Sequence, residues 1–370
     1  MSFNKTSVAT MADERMTQRQ IAEELGVSRQ LVSFALQGKG RMSDEKRQKI
    51  LRFARENNYH EFSNNEARQM ISRRYGKRAQ TGIIAAVFNA RFEGQPITSL
   101  PFFAPFFEGL ENESIERNLD LVLCPLRAEG LPLLVREQRV DGVICLFIPE
   151  CDAARLGAPA MPTVSLPYQT QGAPCISIED AQGTRLTTQH LIGLGHQRIA
   201  YLGMSPTENE IGAHRLQGYQ SALADAGLPQ EARWINSTLE DPTKGAGREA
   251  ANALLKTRQA GQPNFSAIVC YNDEIAMGTV EALQAAGVNV PDEISVTGFD
   301  DISIQSNFAL ALTSVAIPRQ AMARRAVELL CQQNQARRDA SNDDFSSYLQ
   351  QFPVKLVTRD SSAPPPTSSP

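Results

Sequence analysis

Four histidines, six cysteines and one tryptophan are all that this 370-residue chain has of the residue types that most often build metal, redox or stacking sites. The cysteines, at 124, 145, 151, 175, 270 and 331, form no C-x-x-C pair, and several lie inside apolar strand-like runs. They read as reduced core residues rather than a disulfide frame. No two of His60, His190, His196 and His214 stand at i, i+4 with a carboxylate or thiol nearby, so no metal and no cofactor is expected. A P-loop, a G-x-G-x-x-G after a first strand, a G-x-S-x-G elbow and an H-E-x-x-H helix are all missing, and no nucleophile–base constellation replaces them. The chain therefore reads as a protein that is not an enzyme. Its apolar runs break well short of the ~20 residues that span a bilayer, and no basic-then-apolar segment opens it. A cytoplasmic protein with no membrane partner is expected.

What is present is a division of charge. Residues 1–78 hold 16 Lys and Arg against 9 Asp and Glu, net +7, while the remainder hold 21 against 32, net −11. A basic end on an acidic body suggests a nucleic-acid surface. That same end carries a helix-turn-helix pattern. Thr17 is placed to cap a first helix, with Gln20 reaching back to complete a capping box, and Ile21 and Leu25 share one face. Gly26 supplies the turn, Val27 plugs the corner, and Ser28 caps a second helix from about Arg29 to Gln37. Leu31, Val32, Ala35 and Leu36 face inward on it, leaving Arg29, Gln30, Ser33 and Phe34 on the face a recognition helix lays against base edges. Ser43 opens a third helix with Ile50, Leu51 and Ala54 as its apolar stripe. An ordinary three-helix bundle with a solvated polar face would share this periodicity, but not the charge.

From Thr81 the signal changes to strands alternating with amphipathic helices. Strands are expected at 82–88, 120–124, 142–147, 162–166, 176–178, 198–202, 267–270 and 294–298, and helices at 106–118, 183–194, 215–226, 247–256 and 274–286. Such alternation implies parallel sheets covered on both faces, each with a ligand-facing carboxyl edge.

Several segments, in order along nearly the whole chain, resemble the lactose/galactose repressor (LacI/GalR) family of bacterial transcription regulators. They are the headpiece, NNEARQM at 64–70, VDGVI at 140–144, HLIGLGHQRIAYLG at 190–203, HRLQGYQSALADAGL at 214–228, AIVCYNDEIAMG at 267–278, VPDEISVTGFDD at 290–301, LTSV at 312–315 and LVTRDS at 356–361. The resemblance implies an α/β core of two Rossmann-like parallel-sheet subdomains of periplasmic-binding-protein type, joined by three crossings, behind an all-α headpiece. The expected organisation is a disordered N-terminus (1–15), a helix-turn-helix DNA-binding domain (16–62), a hinge helix and linker (63–80), an effector-binding and dimerisation core (81–360) and a disordered Pro/Ser-rich tail (361–370).

The resemblance also implies a sequence-specific repressor. It would bind a near-palindromic double-stranded operator as a homodimer, or as a higher oligomer built from it, under control of a small molecule in the cleft. Arg29 and Gln30 match base-reading positions, suited to guanine and adenine edges; Ser28 and Ser33 match frequent phosphate or base contacts, and Thr17 belongs to the same DNA-facing set. Phe34 stands where the family usually has arginine, which exchanges a guanine contact for an apolar one. Asn64, Ala67 and Met70 match the hinge pattern, Met70 at the place of a leucine that wedges between base pairs. The usual proline is Glu61 here, and the Tyr59–Ala67 spacing is two residues longer than usual.

In the cleft, Arg215, Asn272 and Asp300 match positions that hold an effector of sugar, sugar-derivative or nucleobase class. Helix capping by Asn272 or Asp273 and a structural Arg215–Asp300 pair are the competing roles. Leu146 and Pro167 replace an Asn and an Asp of lactose-repressor relatives, so a less hydroxyl-rich effector is expected, and the opposite charges of Arg215 and Asp300 suit a neutral polar or weakly acidic one. A solute-binding or sensing protein without DNA regulation is the alternative function.

Overall fold

Three short helices make up the described part of the first unit in this computed structural model, which describes residues 17–36, 40, 42–57, 80–89, 91–92, 95–126, 130–148, 161–170, 172–258, 264–302, 308–339 and 343–366. The chain divides into residues 1–81 and 82–370. Helix α1 (Gln18–Glu24) opens with the expected capping box: Thr17 Oγ1 accepts from Gln20 N–H at 3.3 Å, and Thr17 N–H donates to Gln20 Oε1 at 2.7 Å. Gly26, at φ +60, makes the turn that a side chain would resist. Ser28 Oγ then accepts from Leu31 N–H at the start of α2 (Arg29–Leu36), and Ser43 Oγ from Lys46 N–H at the start of α3 (Asp44–Glu56). Ile21, Val32, Ala35, Ile50 and Ala54 close the core between them. The expected hinge with Asn64, Ala67 and Met70, and the N-terminal 1–15 segment, lie outside the described residues.

The second unit holds two six-stranded sheets. The first has β1 (Ile83–Asn89), β4 (Asp120–Leu126), β5 (Gly142–Leu146), β6 (Thr163–Leu166), β7 (Cys175–Ile178) and β13 (Leu349–Phe352) in the order β13-β7-β6-β5-β1-β4, all parallel. A two-stranded ribbon of β2 (Arg91–Phe92) and β3 (Gln95–Pro96) follows β1. The second sheet has β8 (Ile199–Met204), β9 (Ile235–Leu239), β10 (Ala267–Cys270), β11 (Ser295–Asp300), β12 (Thr313–Ala316) and β14 (Lys355–Val357) in the order β14-β12-β11-β10-β8-β9, with only β14 antiparallel. Strands β5, β8, β10 and β11 are buried along their whole length, which is why they read as unbroken apolar or small-residue runs.

Helices α4 (Ala104–Glu116) and α5 (Leu133–Arg136) belong to the first sheet. The second is covered by α6 (Asp180–Gly193), α7 (Glu210–Asp225), α8 (Lys244–Leu255) and α9 (Asp273–Ala285). Two of their pairings depend on missing side chains: a β-carbon on Gly218 of α7 would collide with the Ala181 carbonyl of α6, and one on Gly278 of α9 with the Lys244 carbonyl of α8. The longest helix among the described residues, α10 (Arg319–Asp339), was not among the expected helices; it packs on α4 and on β5, β6 and β7.

The chain crosses between the sheets three times, from β7 into α6, from β12 into α10, and from β13 into β14. The expected disordered tail needs correction at its start. Ser361 is buried, its Oγ accepting from Thr313 N–H and donating to Val296 O; Val296 N–H donates to Ser361 O, and Ala363 N–H to Ser295 Oγ. His196 and His190 hold the same segment, His196 Nε2 donating to Ala363 O at 2.9 Å and His190 Nε2 lying 2.9 Å from Ser362 Oγ. The backbone groups of a buried interior need partners, and this segment supplies them.

Candidate functional site

The carboxyl ends of both sheets meet at one cavity of about 280 Å³. Asn89 ends β1, Phe147 follows β5, Tyr168 follows β6, Tyr271 and Asn272 follow β10, and Asp300 ends β11. Ligands of open α/β sheets bind at such carboxyl edges. The structure brings Arg215, Asn272 and Asp300 together in this lining.

Each of the three also has partners within the chain. Arg215 Nε donates to Asp180 Oδ1 at 2.8 Å and Nη1 to Tyr271 O at 2.6 Å, while its guanidinium lies between the rings of Phe299, 3.6 Å away, and Tyr271, 4.4 Å away. Asn272 caps α9, its Oδ1 accepting from Ile275 N–H and its Nδ2 donating to Pro242 O. Asp300 differs. Its Oδ1 is buried with no hydrogen-bond partner, 3.7 Å from Arg215 Nη2, on a backbone at φ +101. Burial pushes its carboxyl up to about 7 against the pull of Arg215 and Arg319. A strained backbone and an unmatched buried carboxylate oxygen are both costly, and both are concentrated at the cavity wall.

Asp273, beside it on α9, is also pushed to about 7 by burial and by Asp300, but is fully engaged: Oδ2 accepts from Ile302 N–H and Oδ1 from Ser314 Oγ. It holds the β11 and β12 ends rather than capping the helix. Among the described residues no group of acids, histidines and cysteines could hold a metal ion, and no helix is long and apolar enough to cross a membrane.

Residues 188–362 match the periplasmic binding protein-like domain family. The HTH-type transcriptional regulator GalR of Escherichia coli (strain K12) is 32% identical over 260 residues, which are 70% of this chain and 69% of that protein. This chain belongs to the LacI/GalR family. A solved complex of the transcriptional regulator CelR with cellobiose is 25% identical, with TM-score 0.64 over 94% of this chain and 100% of that one. A lac repressor dimer bound to operator and an anti-inducer, 23% identical with TM-score 0.65 over 95% of this chain and 100% of that one, has the same fold.

As a LacI/GalR regulator the chain has its DNA-reading candidates in the first unit. Ser28, Arg29 and Gln30 are exposed at the start of α2, with Ser28 Oγ occupied by its cap. Thr17 is exposed, and its hydroxyl is committed to Gln20. Ser33 and Phe34 are half-buried. The Phe34 ring lies against Gly40, where a β-carbon would stand 2.7 Å from its Cδ2, so Gly40 covers part of this side chain. Residues outside the expected set complete the cleft of this LacI/GalR chain. Asp180, at the start of α6, supplies the counter-charge for Arg215. Arg319, at the start of α10, is buried over the Phe102 ring at 5.6 Å with Nη1 unpartnered. Phe102, Phe103 and Phe147 form the apolar wall. Only the strand-end position of Phe147 could have been read beforehand; Asp180 and Arg319 come from the crossings, whose placement is a matter of topology. Leu146, by contrast, is a core residue that does not line the cavity.

Proposed function

We propose that this regulator is a repressor that reads a near-palindromic double-stranded operator as a homodimer through α2, and that a small molecule in the cleft changes its grip. The observation that carries the reading is the pairing, in one chain, of an exposed Arg29–Gln30 edge on a basic helix-turn-helix unit with a ligand-sized cavity at the carboxyl edges of a separate unit. Arg and Gln at successive positions of a recognition helix match guanine and adenine edges. One such helix covers a few base pairs, and twofold symmetry doubles the readout. Ser28 and Ser33 position the helix on phosphates, Thr17 fixes the start of α1 at the DNA-facing edge through its capping box, and Phe34 adds an apolar contact. Asn64, Ala67 and Met70 form the hinge, with Met70 wedging into the minor groove.

The effector is a molecule of the sugar-derivative or nucleobase size class; the family member CelR was solved with cellobiose. A ligand shifts such an equilibrium only by its differential affinity for two poses of the cleft.

The test is enrichment of full-length protein on a pool of randomised duplexes. A pseudo-palindromic consensus is expected. Arg29→Ala or Gln30→Ala should then cost about 1–3 kcal/mol on the consensus and relax one position per half-site, with little change on random DNA. Equal losses on both duplexes would refute base reading by α2.

A further inference from the structure

We propose that Asp273 and Ser314 are positioning residues for effector recognition, holding the turn after β11 so that the Asp300 carboxyl stays presented to the cleft. This deepens the reading of the cleft as the effector site and rests on it.

Asp300 has little of its own to hold it there. Its Oδ1 is buried without a hydrogen-bond partner, and its ion pair with Arg215 Nη2, at 3.7 Å, is longer than a hydrogen bond. The backbone is strained as well. Asp300 at φ +101 and Asp301 at φ +56 follow one another in the left-handed half of conformational space, which residues with a β-carbon rarely enter. Such a turn persists only where its surroundings over-determine it.

Asp273 and Ser314 are those surroundings. Pairing of β11 with β12 ends at Asp300 and Ala316, so the next two amides leave the sheet and need acceptors elsewhere. Asp301 N–H donates to Ser314 Oγ at 3.1 Å, Ser314 Oγ donates to Asp273 Oδ1 at 2.6 Å, and Ile302 N–H donates to Asp273 Oδ2 at 2.7 Å. One carboxylate therefore collects both amides, the first of them through a hydroxyl that is donor and acceptor at once. Asp273 and Ser314 are fully buried, so water does not compete for these bonds.

The carboxylate serves the turn rather than its own helix. Asp273 stands at the first position of α9, where an acid ordinarily faces the free helix N–H groups; Asn272 takes that role, accepting from Ile275 N–H. Asp273 Oδ1 instead lies so close over Gly298 of β11 that a β-carbon there would collide with it. Arginines hold the other side of the turn, Arg359 Nη1 lying 2.6 Å from Asp301 Oδ1 and Arg319 Nη2 donating to Asp301 O at 3.4 Å. These bonds engage residues 301 and 302 and leave the Asp300 carboxyl at the cavity wall.

The test uses the full chain with Ser314→Ala, which deletes the hydroxyl relay, and Asp273→Asn, which keeps the shape but can accept at one end only. The measurements are hydrogen exchange of backbone amides, carbon-13 NMR titration of the Asp300 carboxyl, and calorimetric titration with glucose, ribose, cellobiose and hypoxanthine. In Ser314→Ala the Asp301 amide should exchange at least ~10-fold faster, while the amides of β10 (Ala267–Cys270) stay within about threefold of the parent. Burial, with Asp180 and Glu274 pushing up against the pull of Arg215 and Arg319, sets the Asp300 carboxyl at about 7. It should titrate about one pH unit lower once the freed turn lets it reach water. The tightest-binding probe should lose at least ~10-fold in affinity. Asp273→Asn should free one of the two amides and lower the Asp300 titration and the affinity in the same way; if it does not fold, Ser314→Ala decides alone. Freed amides with an unmoved Asp300 titration and an unmoved affinity overturn the proposal and leave Asp273 and Ser314 as supports of the strand ends. Equal acceleration of the β10 amides overturns it too, since the whole sheet has then loosened. A parent that binds none of the probes overturns the effector reading for those classes, while exchange and titration still decide what holds Asp300.

Discussion

Asp300 and Arg215 show how one side chain serves the fold and the site together. An unfolded aspartate titrates near ~3.9, whereas folded Asp300 titrates at about 7. Between those values the folded chain holds a proton that the unfolded chain has released, so stability falls as pH rises through the window. Asp300→Asn keeps the shape and removes the charge. Its melting temperature should therefore exceed that of the parent by more at pH 8 than at pH 5; equal gains at both pH values in scanning calorimetry would contradict the assignment. Arg215 is a less discriminating probe. Breaking a buried pair by removing one partner costs about 3–5 kcal/mol, and Arg215→Ala would strand Asp180 at 6% exposure. Loss of effector response in that variant would report the pair as much as the ligand.

At the scale of elements, helix contact without side chains is the feature most open to test. Gly218→Ala places a methyl group into the Ala181 carbonyl, with backbone on both sides of the contact. Overpacking of this kind costs typically about 1–3 kcal/mol. Gly193→Ala, at the end of α6 with open space around it, should be neutral or stabilising by up to about 1 kcal/mol. Urea midpoints of the two variants should move in opposite directions or differ by that margin. The strands and helices expected from periodicity are present within a few residues because most are buried runs or two-sided stripes. The omissions have physical causes. Strand β9 is polar and only half-buried, β13 alternates exposed and half-buried residues at a sheet edge, and β14 has three residues. Helix α10 did carry the signal, with Met322, Ala323, Ala326, Val327, Leu329 and Leu330 along one stripe, but five arginines and four glutamines dilute it. The cleft residues Arg215, Asn272 and Asp300 were legible as motif matches. Their partners Asp180 and Arg319 were not, because each stands just past a crossing that only the closed topology brings to the site.

For the whole molecule, the division of charge has a measurable consequence in solution. Residues 1–78 carry net +7 on a chain whose total is −4, so attraction to DNA is expected to be local and steeply screened. Operator affinity should fall linearly in log–log salt plots, and contacts to 6–10 phosphates predict a loss of ~10³–10⁵ between 50 and 200 mM. Sedimentation at micromolar concentration should show a dimer; a monomer with a shallow salt slope would argue against paired half-sites. The three crossings carry a further consequence, for biosynthesis. The first sheet waits for β13 and the second for β14, and the Val296 backbone waits for Ser361. A chain emerging from the ribosome can assemble its first three helices early, yet neither sheet gains its last edge until synthesis has passed β13 (Leu349–Phe352) and β14 (Lys355–Val357). A premature stop codon between α10 and β13 would thus remove an edge from both halves at once, and a truncated product of that kind should be cleared by cellular proteases rather than accumulate as a working half.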